Sequence, residues 1–113
     1  MLIYKIADEA SWRAALALGH FVGSQDDQRD GFVHLSTAAQ TPETVAKHFG
    51  GRRDLVIAAV DADRLGAILR WEPSRGGALF PHCHGPLPVA AVAWWRPLPL
   101  GVDGVHAFPA EYA

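Results

Sequence analysis

Thiol chemistry is almost absent from this sequence: Cys83 is its one cysteine, so no disulfide closes within the chain and no oxidising compartment is required. A dominant charge is lacking too. Ten lysines and arginines stand against 12 aspartates and glutamates, a formal net charge of -2, which offers no general attraction to a phosphate backbone. No nucleic-acid partner is therefore expected. The adjacent pair Arg52-Arg53 runs straight into Asp54, the pattern of a solvated turn. No apolar run reaches the length of a membrane span, which argues against a membrane partner. Residues 1–6 are apolar but meet Asp8-Glu9 too soon for a secretory signal, so a cytoplasmic location is the expectation. Repeats, low-complexity tracts and the glycine patterns of phosphate loops and dinucleotide folds are also missing. Gly76-Gly77 reads as a turn, and Ser36 sits in no nucleophile elbow, which speaks against a hydrolytic triad.

What remains is a chain of 113 residues, half of them apolar, long enough to bury a core as one domain. The domain is placed over residues 1–100, with a surface tail over 101–113 in which Phe108 or Tyr112 docks only locally. Residues 2–6 alternate as a first strand with Lys5 opposite Tyr4 and Ile6. Asp8 caps a helix buried through Trp12, Ala15 and Leu16 and stopped at Gly19. Residues 23–29 read as a polar loop. Residues 30–37 read as a strand with Phe32, His34 and Ser36 on one face and Val33, Leu35 and Thr37 on the other. A second helix starts with Thr41 as cap and Pro42 in its first turn, buries Val45 and Phe49, and ends at Gly50-Gly51. His48 in its last turn is explained by the helix dipole. Residues 54–61 are a strand buried on both faces, residues 68–72 a strand ended by Pro73, and residues 89–95 the closing strand. Trp94 and Trp95 face opposite ways, one suited to the core and one to a subunit interface, and the oligomeric state stays open.

Three polar points fall near strand ends: His34 with Ser36 and Thr37, Glu72 after Trp71, and His82 with His84 before Gly85-Pro86. If residues 80–84 are extended, His82 and His84 share a face and Cys83 turns away. Joined by His34, they make a zinc donor set with an open position. No second pair accompanies them, so hydrogen-bonded histidines at a pocket edge are the reading adopted, and no metal is assigned. With Phe32, Trp71 and Phe80 nearby, the polar face suits a flat ring and ribose hydroxyls. The reading is an α+β domain with a mixed, curved sheet, two covering helices and a cleft lined by His34, Ser36, Thr37, Glu72, His82 and His84.

These residues also carry a resemblance. Ile3-Tyr4-Lys5-Ile6, Trp12, the run from Asp30 to Thr37, Asp54-Leu55-Val56, Trp71-Glu72, and Phe80-Pro81-His82 with Gly85-Pro86-Leu87 occur in the order and spacing of the domain of unknown function 952 family. That family is similar in fold to the ADP-ribosylation superfamily, whose split, bent mixed sheet binds NAD in a central cleft. Val33-His34-Leu35-Ser36 further resembles the RNA 2′-phosphotransferases. The resemblance implies NAD as cofactor, His34 against its ribose or the phosphate acceptor, Ser36 at the nicotinamide end, and Glu72 as a catalytic acid. Lys5 stands where many of those enzymes have a first-strand histidine. Thr37, His82 and His84 complete the nucleotide site. The expected function is binding of NAD or an ADP-ribose-like nucleotide, with ribosyl- or phosphotransferase-like chemistry as the enzymatic form. The alternatives are a non-enzymatic interaction domain that kept the fold and a metal-dependent hydrolase using the histidines.

Overall fold

A computed structural model of the chain describes residues 1–112, apart from the side chain of Arg75. The alternating start forms β1 (Leu2–Asp8), and Asp8 accepts from the Ser11 backbone N–H at 2.9 Å to open α1 (Glu9–Leu18). Gly19, at φ 95, closes that helix in the left-handed conformation read from the sequence. Short β2 (His20–Phe21) follows.

The polar stretch after Gly23 is a helix rather than a loop. In α2 (Gln25–Asp30) Ser24 and Asp27 form a reciprocal capping box, a start signal hidden in what reads as uniform polarity. The strand expected over residues 30–37 shrinks accordingly to β3 (Val33–His34), because Asp30 closes α2 and Gly31 caps it in the left-handed conformation. Ser36 rejoins the sheet through a bridge to Tyr4, with backbone bonds of 2.7 and 2.9 Å.

In α3 (Thr41–His48) Thr41 is the first helical residue and not the cap. Its hydroxyl donates back to the Thr37 carbonyl at 2.7 Å, while the Thr37 hydroxyl accepts from the Gln40 N–H at 3.2 Å. The apolar run gives β4 (Leu55–Asp61), whose first six residues are all buried. After two short 3-10 turns come β5 (Leu69–Pro73), β6 (Leu79–Cys83), β7 (Leu87–Pro88) and β8 (Val92–Pro97). The closing strand begins at Val92 because residues 89–91 form a 3-10 turn.

Among the described residues every named strand pair is antiparallel, so the sheets are not mixed, and three α-helices stand where two were expected. One half-sheet has the order β1-β4-β8 and another β3-β6-β5, joined at the Tyr4–Ser36 bridge. The sheet is therefore split beside β1, where its backbone pairing is reduced to one bridge.

One face of the first half-sheet packs Ile3, Val56, Ala58 and Val60 against Trp12 and Ala15 of α1. The other packs Tyr4, Ile6, Ile57 and Ala59 against Val45 of α3. Trp95 joins the first core and Trp94 the second, so both rings of the Trp94-Trp95 pair pack inward. The segment after β8 docks more firmly than a surface tail. Leu98 is fully buried, and the Tyr112 ring meets Tyr4 edge-on at 5.0 Å and Phe108 at 4.8 Å. The Tyr112 hydroxyl donates to the Ala38 carbonyl, and His106 Nε2 bonds the Arg52 carbonyl at 2.7 Å.

Candidate ligand-binding site

The site is built around a residue that sequence reasoning passed over, Asp27, which is 2% exposed. The capping box turns its side chain inward, with Oδ2 accepting from Ser24 N–H at 2.8 Å. The same oxygen accepts from Lys5 Nζ at 2.8 Å, and Oδ1 accepts from the His34 backbone N–H at 3.0 Å and lies 2.6 Å from His34 Nδ1. Burial pushes the Asp27 carboxyl upward, but the bonds from His34 and the charge and bond of Lys5 outweigh it and hold the group well below the usual carboxylate range. Burial pulls the Lys5 ammonium below its ordinary value, against the opposing pull of Asp27. Lys5 also donates to the His34 carbonyl at 3.1 Å, so the ammonium and the carboxylate together fix the backbone and ring of His34.

The other ring nitrogen of His34, Nε2, lies 2.9 Å from Asp30 Oδ2. Both contacts become hydrogen bonds together only when both nitrogens carry hydrogen. Asp30 is itself bonded by the exposed Arg29 at 2.9 Å, and that bond, with the guanidinium charge, holds its carboxyl below the ordinary value.

Cross-strand pairing sets His34 directly opposite His82, on one face of the second half-sheet. Phe32 stacks on the His82 ring at 4.0 Å and 19°, and packs at 4.6 Å from His34 and 5.1 Å from His84. Glu72 Oε1 lies 2.7 Å from His82 Nδ1 and 2.7 Å from His84 Nε2. Hydrogen bonds from His84, then His82, hold the Glu72 carboxyl below its ordinary value. Cys83 turns away from this cluster, and burial pushes its thiol up to about 11.

At the split between the half-sheets lies a cleft of about 530 Å³. Its lining includes Tyr4, Phe49 and Phe80, the hydroxyls of Ser36 and Thr44, and Arg29, Lys47 and His48. Ser36 Oγ and Thr44 Oγ1 are 3.0 Å apart, which ties the segment after β3 to α3 in the wall of the cleft.

The family model for a protein of unknown function (DUF952) matches residues 6–95. The chain belongs to the DUF952 family. It is similar to protein CC0527 from Caulobacter crescentus, whose crystal structure aligns at 49% identity over 99% of this chain and 98% of that one, with a TM-score of 0.92. The solution NMR structure of CC0527 aligns at 53% identity over 92% of this chain and 90% of that one, with a TM-score of 0.82. No curated protein matches the chain.

In this DUF952 chain Lys5, His34, Ser36 and His82 all line the cleft. Thr37 does not, being engaged at the start of α3. Glu72 and His84 lie beyond the cleft lining, and Glu72 Oε1 joins both His84 and the cleft-lining His82. Of the aromatics expected around the ligand, Phe80 lines the cleft, Phe32 stacks on the imidazoles, and Trp71 is 39% exposed. Glu72, His82 and His84 offer ligand atoms within 4.8 Å of one another, so Glu72 takes the place given to His34 in the histidine-only metal set. Asp27 had one legible signal, the serine three residues before an acid. His48 had none, since its helix-end position was already accounted for.

Proposed function

We propose that the cleft binds a nucleotide of the NAD or ADP-ribose type, with His34 as the central contact. The observation that carries this reading is one concave site, about 530 Å³ in volume, in which aromatic faces, hydroxyls and cations converge at the split of the sheet. Pockets of this size take ligands of that class, bound by apolar walls and a few placed polar groups. Tyr4, Phe49 and Phe80 offer surfaces to a flat ring, and Ser36 and Thr44 offer hydroxyls to ribose. Arg29 and Lys47 supply cationic donors for phosphate oxygens, and His48 adds a ring nitrogen.

His34 is set up for this contact. Asp27 and Lys5 fix it from the buried side, while Nε2 meets the partly exposed Asp30, which an incoming phosphate or ribose oxygen can replace. The acids of the site do not repel a phosphate unchecked, because Lys5 pairs with Asp27 and Arg29 with Asp26 and Asp30. The resemblance to the ADP-ribosylation superfamily supports the same ligand class. Glu72 stands outside the cleft lining, so no transfer step is assigned to it.

Calorimetric titration with NAD and with ADP-ribose tests the reading. Saturable heat is expected from the wild-type chain, absent in His34→Ala and weaker in Lys47→Ala, with circular dichroism unchanged in both. Lys47 is exposed, so its variant keeps the test meaningful if His34→Ala loses its fold. Absence of heat with both nucleotides overturns the proposal.

A further inference from the structure

Glu72, His82 and His84 converge because of strand register. On the adjacent antiparallel strands β5 and β6, Glu72 pairs with Phe80 and Arg70 with His82, which makes Glu72 and His82 diagonal neighbours. His84 follows His82 by two residues, and its backbone N–H bonds the Ile68 carbonyl at 2.6 Å just past the end of the strand. Both histidine side chains reach the same carboxylate oxygen at 2.7 Å.

From this geometry we propose that Glu72, His82 and His84 form a binding site for a divalent transition-metal ion of the zinc class. Two imidazole nitrogens and one carboxylate oxygen are the donor set of three-ligand zinc sites, in which a fourth position is left for water or substrate. Such donors favour zinc-class ions over calcium and magnesium, which seek oxygen cages. Tetrahedral bonds of about 2.0–2.2 Å place ligand atoms roughly 3.3–3.5 Å apart, so the 2.7 Å contacts need to open by less than about 1 Å.

The neighbours prepare the site for that opening. Phe32 stacks on His82 and packs on His84, which restricts both ring planes, and His82 is buried at 4% exposure. The side chains of Glu72 and His84 are 36% and 26% exposed, so the ion has a way in. His34 is not a ligand, because the buried Asp27 holds its Nδ1 and it falls outside the group whose donor atoms lie within 4.8 Å of one another. The site shares His82 with the cleft, while Glu72 and His84 lie outside the cleft lining.

The test is calorimetric titration of tag-free, chelator-treated protein with zinc chloride, followed by cobalt chloride with absorption in the visible range, all without nucleotide. One zinc ion per chain is expected, with cobalt bands typical of low coordination. His84→Ala and Glu72→Gln are each expected to weaken zinc binding at least about tenfold, since even the loss of a group outside the ligand set has that effect. His20→Ala, on the separate β2–β7 ribbon, is expected to bind as the wild type does. Glu72→Gln preserves shape and hydrogen-bonding capacity, so it separates loss of the anionic ligand from loss of fold. Absence of saturable zinc binding, or binding that survives both ligand variants, overturns the proposal and leaves three hydrogen-bonded side chains.

Discussion

Asp27 holds four groups at once: the Ser24 and His34 backbone N–H groups, the Lys5 ammonium and the His34 ring. Removing one partner of a buried ion pair strands the other in a low dielectric, which costs about 3–5 kcal/mol. Asp27→Asn is expected to lower the unfolding free energy by about that amount in urea titrations. The double variant Lys5→Met with Asp27→Leu is expected to lose less than the sum of the single changes. Acid sensitivity follows from the same residue. Its folded carboxyl titrates below the unfolded value of about 3.9, so the unfolded chain takes up the proton first. The stabilisation is fully present above about pH 4 and drains away as the pH falls through the folded value. Urea midpoints measured down that range should fall steeply in the wild-type chain and less steeply in Asp27→Asn.

At the scale of the element, α2 decides whether the site exists. It has only six residues, too few to persist by propensity, and depends on its caps and on the buried Asp27. Gly23 leads into it at φ +110, and a Cβ there would stand 2.7 Å from the Asp27 Cβ, so the approach to the helix needs glycine. Ser24→Ala removes one half of the capping box and is expected to cost about 0.5–2 kcal/mol, read from denaturant midpoints. Because the other half holds the Asp27 carboxylate, the same variant is expected to weaken nucleotide binding in the titration proposed above. An unchanged affinity would show that His34 is positioned without the cap.

For the whole molecule, the two cores on either face of the β1-β4-β8 half-sheet have different origins. The face under α1 gathers residues from Ile3 to Trp95 around Trp12, whereas the opposite face is closed by α3 and by Leu98, Phe108 and Tyr112 from the far end. Tyr112 links that end to Tyr4 and to the Ala38 carbonyl, beside the bridge that joins the half-sheets. Tyr112→Ala is expected to lower stability by about 1–3 kcal/mol and to speed hydrogen exchange at the Tyr4 and Ser36 amides. Unchanged exchange there would mean that the docking is confined to the last residues.

Local patterns sufficed for β1, α1, β4 and β5, since alternation, a capping aspartate, a stopping glycine and a continuous apolar run are each written within a few residues. Ser36 lies past the end of β3, whereas the shared face of His82 and His84 was legible for the same reason, since the two-residue period of a strand follows from the backbone alone. The antiparallel pairing, the split beside β1 and the docking of Tyr112 were not, because they depend on contacts between residues far apart in the chain. Asp27 shows the division most clearly. Sequence placed it in a polar run, where an acid normally faces water. Only tertiary structure brought a lysine from β1 and a histidine from β3 to the same carboxylate, and that juxtaposition made a buried charge tolerable.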